Sequence, residues 1–163
     1  MPKISKEQKT TRIMRAVVQR VSQASVTIEG TVKSQIEYGF LILLGICEDD
    51  TADDVEWLVK KIANLRVFDD NEGVMNRSIL DIAGEAMVVS QFTLFASYKK
   101  GNRPSWFRAA SHAHAIPLYD DFCTQLSVAI GKPVATGEFG ADMKVALLND
   151  GPVTICLDTK NKE

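Results

Sequence analysis

The stretch GFLILLGICEDDTADDVEWLVKKIANLRVF (39–68) holds the transition on which the fold turns. Its first part, Gly39 to Ile46, is an unbroken apolar run of strand length, the pattern of a strand buried on both faces. Its second part changes period. Val55, Leu58, Val59, Ile62 and Leu65 recur at three- and four-residue spacing and lay one apolar stripe along a helix. Thr51 stands ahead of that stripe as an N-cap, with Asp54 three positions on to complete a reciprocal cap. Acids lead the segment and Lys60, Lys61 and Arg66 trail it, the order that the helix dipole favours. A buried strand therefore passes through an acidic turn into an amphipathic helix.

Outward from this stretch, MRAVVQRV (14–21) reads as a first strand. ASVTIEG (24–30) alternates and ends in a turn at Glu29-Gly30. DDNEG (69–73) is a turn, GEAMVVSQFTLFA (84–96) a strand, and SYKKGNRPSW (97–106) an exposed basic loop. A second helix is predicted from about Pro117, well placed in a first turn, to Gly131, which can take the left-handed conformation past a helix end. Its inner face is Tyr119, Phe122, Cys123, Leu126 and Ile130. PVATGEF (133–139), MKVALLN (143–149) and VTICLD (153–158) close the chain as strands, with NDGP (149–152) turning between the last two. Strands in clusters, with two main helices between them, indicate an α+β fold rather than an alternating parallel one. Two helices cannot cover both faces of every sheet. Twisted sheets packed on each other in a layered β/β/α arrangement, or burial at a dimer interface, are therefore expected.

The 163 residues, 45% hydrophobic and 25% charged, suit one domain with one sizeable core. That domain is placed at 14–158, between a basic extension (1–13) and a short tail (159–163). The extension carries four Lys or Arg against one acid and lacks the apolar centre of a signal peptide; it reads as disordered, with a basic arm or weak targeting segment as alternatives. No apolar run approaches the roughly 20 residues that span a bilayer, so no membrane partner is expected. Cys47, Cys123 and Cys156 are odd in number, far apart and flanked by apolar residues, the pattern of small buried hydrophobes in a reducing compartment. A net charge of −2 predicts no general affinity for nucleic acid, so any RNA contact would be a local patch.

Familiar catalytic motifs are missing. There is no GxSxG elbow, no Walker motif and no GxGxxG after a strand. His112 and His114 in SHAHA have no third ligand at an obvious spacing, so no metal site is expected and exposed surface histidines are the simpler interpretation. The acids Asp49, Asp50, Asp53 and Asp54 suit a helix start better than a cation site. In the basic loop, Lys99, Lys100 and Arg103 alternate with Tyr98 and Trp106, a mixture that is either simply solvated or able to hold phosphates and bases. NDGPVT (149–154) is either hairpin punctuation or the setting of a cis peptide, for which Pro152 is the suited residue type. MVVSQFTLFAS (87–97) places Ser90, Gln91 and Thr93 inside an apolar strand, where an amide and a hydroxyl need partners.

Taken together, MRAVVQRVSQASVTIEG, ANLRVFDDNEGVMNRSILD, SQFTLFA, KKGNRP, ATGEFGADM and NDGPVT resemble the D-aminoacyl-tRNA deacylases, collinearly from about Met14 to Asp158. That resemblance implies hydrolysis of the ester joining a D-amino acid, in some members also misattached glycine, to the 3′-terminal ribose of tRNA. It further implies a cytoplasmic homodimer, with no metal or organic cofactor, acting in translation quality control. By the same resemblance, Ser90, Gln91, Phe92 and Thr93 line the pocket. The Phe92 amide is suited to stabilise an oxyanion. Thr93 matches a threonine that is either a nucleophile or secondary to a backbone mechanism aided by the ribose 2′-hydroxyl. Gly151-Pro152 matches a Gly-cis-Pro motif that enters the partner subunit's pocket and rejects L-amino acids, and Arg20 matches an arginine that supports it. Two other readings stay open: a nucleic-acid-binding protein on the same scaffold without catalysis, and a Ser or Thr hydrolase using His112 or His114.

Overall fold

The computed structural model describes residues 14–163, so the basic extension lies outside the described residues. In chain order the elements are β1 (Arg15–Ile28), β2 (Thr31–Ile36), β3 (Gly39–Gly45), α1 (Ala52–Asn64), β4 (Phe68–Asp69), β5 (Met75–Arg77), β6 (Glu85–Ser90), a 3-10 turn (Phe92–Phe95), α2 (His112–Ile130), β7 (Ala135–Thr136) and β8 (Lys144–Asp158).

β1 organises the sheet. Its first half pairs antiparallel with β3, from Arg15 opposite Gly45 to Val21 opposite Gly39. Its second half pairs with β2, and β8 runs antiparallel along its other edge. The two segments expected as separate strands are thus one bent strand, because β8 spans both. The bend falls at exposed Ser22 and Gln23, where the β8 register shifts. Glu29 (φ 49°) and Gly30 (φ 77°) form the expected tight turn into β2. β3 pairs parallel with β6, and β6 with the short β7, to which PVATGEF reduces. Ser34 Oγ donates to the Thr136 carbonyl at 2.7 Å, tying β2 to β7 so that the sheet curls towards closure.

This curl explains the apolar run of β3. Phe40, Ile42 and Leu44 face Val55, Leu58 and Ile62 of α1 and Phe122 and Leu126 of α2 in the larger core. Leu41 points the other way, into a second core with Val21, Val26, Ile36, Met87 and Val89 between the two halves of the sheet. Helices, sheet and folded-back sheet form the β/β/α layers.

α1 begins as its sequence indicates: Asp53 N–H donates to Thr51 Oγ1 at 3.3 Å, and Thr51 N–H to Asp54 Oδ2 at 2.9 Å. α2 departs from expectation by starting at His112, which puts SHAHA in its first turn and Pro117 inside the helix. Two tertiary bonds set that start. Ala110 N–H donates to the Ile46 carbonyl at 2.9 Å and Ser111 N–H to Glu48 Oε1 at 2.6 Å, so the chain is anchored before the proline. A proline so near the helix start forfeits one intrahelical bond. Gly131 (φ 71°) closes α2 in the left-handed conformation, as predicted.

The hairpin expected at NDGP does not form. β8 continues along β1 on both sides of it, with Asn149 opposite Val21 and Thr154 opposite Gln19, and the intervening residues bulge from the ladder. Pro152 has no N–H to give a ladder, which suits a bulge. The Gly151-Pro152 bond within it is cis. The cysteines also divide: Cys47 is buried and Cys123 half-buried, but Cys156 is exposed on β8. Among the described residues no helix is long and apolar enough to cross a membrane.

Candidate active site

The strand expected over 84–96 stops at Ser90, and the polar residues that interrupted its pattern lie at the break. Gln91 N–H still donates to the Leu44 carbonyl at 2.8 Å, the last rung beside β3. Beyond it the backbone winds into the 3-10 turn, with Leu94 N–H bonded to the Gln91 carbonyl and Ala96 N–H to the Thr93 carbonyl. A strand through this stretch would set Ser90 on one face and Gln91 and Thr93 together on the other; the strand does not extend that far, yet Gln91 and Thr93 are together. The tight turn, not strand alternation, makes that contact, Gln91 Nε2 donating to Thr93 Oγ1. The amides of Phe92 and Thr93 head the turn, where a 3-10 helix has no internal acceptor for its first N–H groups.

Four residues of 3-10 helix are not self-supporting. Arg15 Nη1 donates to the Leu94 carbonyl at 2.9 Å while its guanidinium lies over the Phe95 ring, 5.4 Å from the centroid. Arg108 Nη2 donates to the Ala96 carbonyl at 3.1 Å. Gly45 completes the seat: a Cβ there would lie 2.9 Å from Phe95 and 3.1 Å from the Gln91 carbonyl oxygen. Sequence reasoning missed Arg15, Arg108 and Gly45 as site-forming residues. For Arg15 the available signal was a charged residue directly ahead of the apolar run Ala16–Val18; Arg108 and Gly45 had none.

Ser90, Gln91 and Phe92, but not Thr93, line a groove of about 550 Å³ that opens between β6 and the start of α2. Leu44 and Val89 floor it, and Trp106, His112, Phe139 and Met143 face them. Phe92 and Trp106 meet edge to face at 5.3 Å. The walls are mostly apolar, so polar groups at the turn act in a region of reduced water competition. His112 is exposed, as expected, and also belongs to this wall, edge-on to Phe139; His114 is half-buried, its Nε2 2.9 Å from the Asp50 carbonyl. Among the described residues no three His, Cys, Asp or Glu side chains gather as a metal-ligand set. Asp50 is 1% exposed and accepts from Cys47 N–H at 2.7 Å; burial pushes its carboxyl up to about 6.

Arg20, Gly151 and Pro152 form a separate constellation that does not line the groove of their own chain. Arg20 is 6% exposed, donates to the Val67 carbonyl at 2.7 Å and to the Asp150 carbonyl at 2.9 Å, and lies 3.4 Å from the Asp69 and Asp150 carboxylates. It ties the β8 bulge to the segment after α1. Gly151 has φ 128°, and a Cβ there would lie 3.0 Å from Arg20 Nη2, so glycine is required. Gly151 and Pro152 are both exposed.

A family model described as D-Tyr-tRNA(Tyr) deacylase matches residues 17–158, nearly all of the folded chain. The chain belongs to that family. Relatives of this deacylase-family chain include the D-aminoacyl-tRNA deacylases of Phocaeicola vulgatus, 68% identical, and Bacteroides fragilis, 65% identical. Each alignment runs over 150 residues, 92% of this chain and all of the relative. Among solved structures, the c-Myc DNA Unwinding Element Binding Protein superposes with a TM-score of 0.82 at 44% identity, covering 88% of this chain and 97% of its own. A structure described as a "probable eukaryotic D-amino acid tRNA deacylase" shares the fold at 18% identity, with a TM-score of 0.78 over 90% of this chain and 99% of its own. The α+β layering is thus the deacylase-family architecture.

Proposed function

We infer that this chain hydrolyses the ester between a D-amino acid and the 3′-terminal ribose of tRNA, working as a cytoplasmic homodimer in translation proofreading. The observation that carries the inference is the turn at the groove's end. Its free leading amides, at Phe92 and Thr93, stand beside Ser90 and Gln91 in a family whose relatives bear the deacylase name. An attacking water converts the ester carbonyl into a tetrahedral oxyanion. Preorganised N–H donors stabilise that charge as it develops, and collapse releases the D-amino acid and the ribose hydroxyl. Thr93 Oγ1 accepts from Gln91, and a carboxamide cannot take up a proton. Its hydroxyl therefore has no base in that partner, which favours the backbone mechanism over a threonine nucleophile.

Chiral selection would come from Gly151-Pro152 of the other subunit. This fits an exposed bulge that does not reach its own groove, on a strand that also exposes Leu147 and Leu148. Carbonyl oxygens presented there would reject an L side chain by steric and polar conflict. Incubating the purified protein with D-tyrosyl- and L-tyrosyl-tRNA tests the proposal. Release of tyrosine from the D-ester alone is expected; equal rates, or none, overturn it. The name of the 44%-identical structural neighbour favours a second reading, nucleic-acid binding without catalysis. In the same assay that reading predicts retained tRNA with its ester intact.

A further inference from the structure

We propose that the loop closed by Ser97 and Ser105, together with Phe107, is the surface that receives the unpaired 3′ end of the RNA on its way into the groove. On this surface Lys99, Lys100 and Arg103 meet phosphates, and Tyr98 and Phe107 stack on bases. The proposal rests on the function inferred above and assigns a place to the part of the substrate beyond the ester.

Three observations meet there. First, the loop has a fixed base: Ser97 and Ser105 exchange two backbone hydrogen bonds of 2.8 Å, and Gly101 (φ 76°) turns the chain near its tip. Second, residues 97–108 hold Lys99, Lys100, Arg103 and Arg108 and no acid, in a chain whose net charge is −2. Lys99, Lys100 and Arg103 are exposed, and none of the three enters an ion pair among the described residues. Cations gathered without counter-charge repel one another and gain when they displace a polyanion's condensed counterions into solvent.

Third, two large rings stand in water beside these cations, Tyr98 at 76% and Phe107 at 75% exposure. Phe107 follows Trp106, which lines the groove and meets Phe92 edge to face. Two chain neighbours therefore connect the surface to the turn that carries the candidate oxyanion amides, Phe107 in water and Trp106 against Phe92. Cations mixed with exposed rings are the composition that holds single-stranded nucleic acid, because every base offers a face for stacking. A duplex offers phosphates but keeps its base faces stacked, so it would leave both rings unused. The charge excess favours RNA over a protein partner.

The test compares D-tyrosyl-tRNA with 3′-O-D-tyrosyl-adenosine, which keeps the ester and ribose but lacks the preceding nucleotides. Tyr98→Ala/Phe107→Ala is expected to raise KM for the tRNA substrate about tenfold through lost stacking. Its kcat and its hydrolysis of the adenosine ester should be unchanged. Lys99→Gln/Lys100→Gln/Arg103→Gln is expected to flatten the dependence of log kcat/KM for tRNA on log salt by about 2, at roughly 0.7 per lost phosphate contact. A KM for tRNA within twofold of wild type together with an unchanged salt slope overturns the proposal. So does an equal loss on both substrates, which would mean that the groove itself had been disturbed. Wild-type protein that cleaves neither ester is a different failure: it overturns the deacylase reading before any variant is made, and this surface with it.

Discussion

Replacing Arg20 by methionine keeps an unbranched stem in the β1–β8 seam but removes the charge and every donor. The structure sets the size of the effect. Two bonds go, a buried one to the Val67 carbonyl and a part-buried one to the Asp150 carbonyl, each from a charged donor and so each contributing about 1.5–3 kcal/mol. The Asp69 and Asp150 carboxylates are partly solvated, so their share is about 0–1 kcal/mol. Relief from burying a guanidinium offsets part of the loss, leaving a net destabilisation of about 3 kcal/mol. For a domain of this size that corresponds to a fall in Tm of about 6–12 °C. The same bond positions Asp150, directly before Gly151-Pro152, so the ratio of D- to L-tyrosyl-tRNA hydrolysis should drop along with stability. Calorimetric melting and the two-substrate assay measure both at a temperature where the variant is folded. A Tm within about 2 °C of wild type, with selectivity intact, would refute the claim that this arginine holds the bulge in place.

Other perturbations probe the turn and its surroundings. Arg15→Met or Arg108→Met should lower kcat for the D-ester about tenfold or more with little change in KM, since each frees a carbonyl that steadies the 3-10 turn; an unchanged kcat in both would show the turn to be self-supporting. Gly45→Ala pushes a methyl against Phe95 and the Gln91 carbonyl and should cost about 1–3 kcal/mol in denaturant titration, with activity reduced at temperatures where the fold is intact. Asp50 has a folded-state pKa of about 6, above its ordinary 3.8, so its contribution to stability is complete below about pH 4 and is lost as pH rises through 6. Asp50→Asn should therefore gain about 2–3 kcal/mol relative to wild type between pH 4 and 7.5; parallel stability profiles for the two proteins would contradict the buried-carboxyl assignment. His112→Ala/His114→Ala should leave the D-ester cleaved, and abolished hydrolysis would instead restore a histidine-based mechanism.

Much of this protein is written in local pattern. The apolar run 39–46 and the stripe from Val55 to Ile62 carry their own periods, and the Thr51–Asp54 cap and the turns at Glu29-Gly30 and Gly131 depend on neighbours in the chain. Those features follow from residues within a few positions of one another, which is why they can be seen without a fold. The resemblance to the deacylases likewise lies in short motifs, and those motifs contain Ser90 to Thr93, Gly151-Pro152 and Arg20.

Tertiary structure decided the rest, wherever a distant segment supplied the competing bond. Strand β6 ends at Ser90 because Arg15 and Arg108 take the carbonyls that a longer strand would have spent on a ladder. NDGP bulges where a hairpin was expected, because β1 is long enough to pair β8 on both sides of it. Helix α2 starts before its proline because Ile46 and Glu48 anchor the residues ahead of it. In each case a local preference, up to about 3 kcal/mol for a proline inside a helix, was outweighed by hydrogen bonds from elsewhere in the chain. The same long-range contacts place the candidate oxyanion amides at the end of a groove, and hold the Gly151-Pro152 bulge away from it, facing outward.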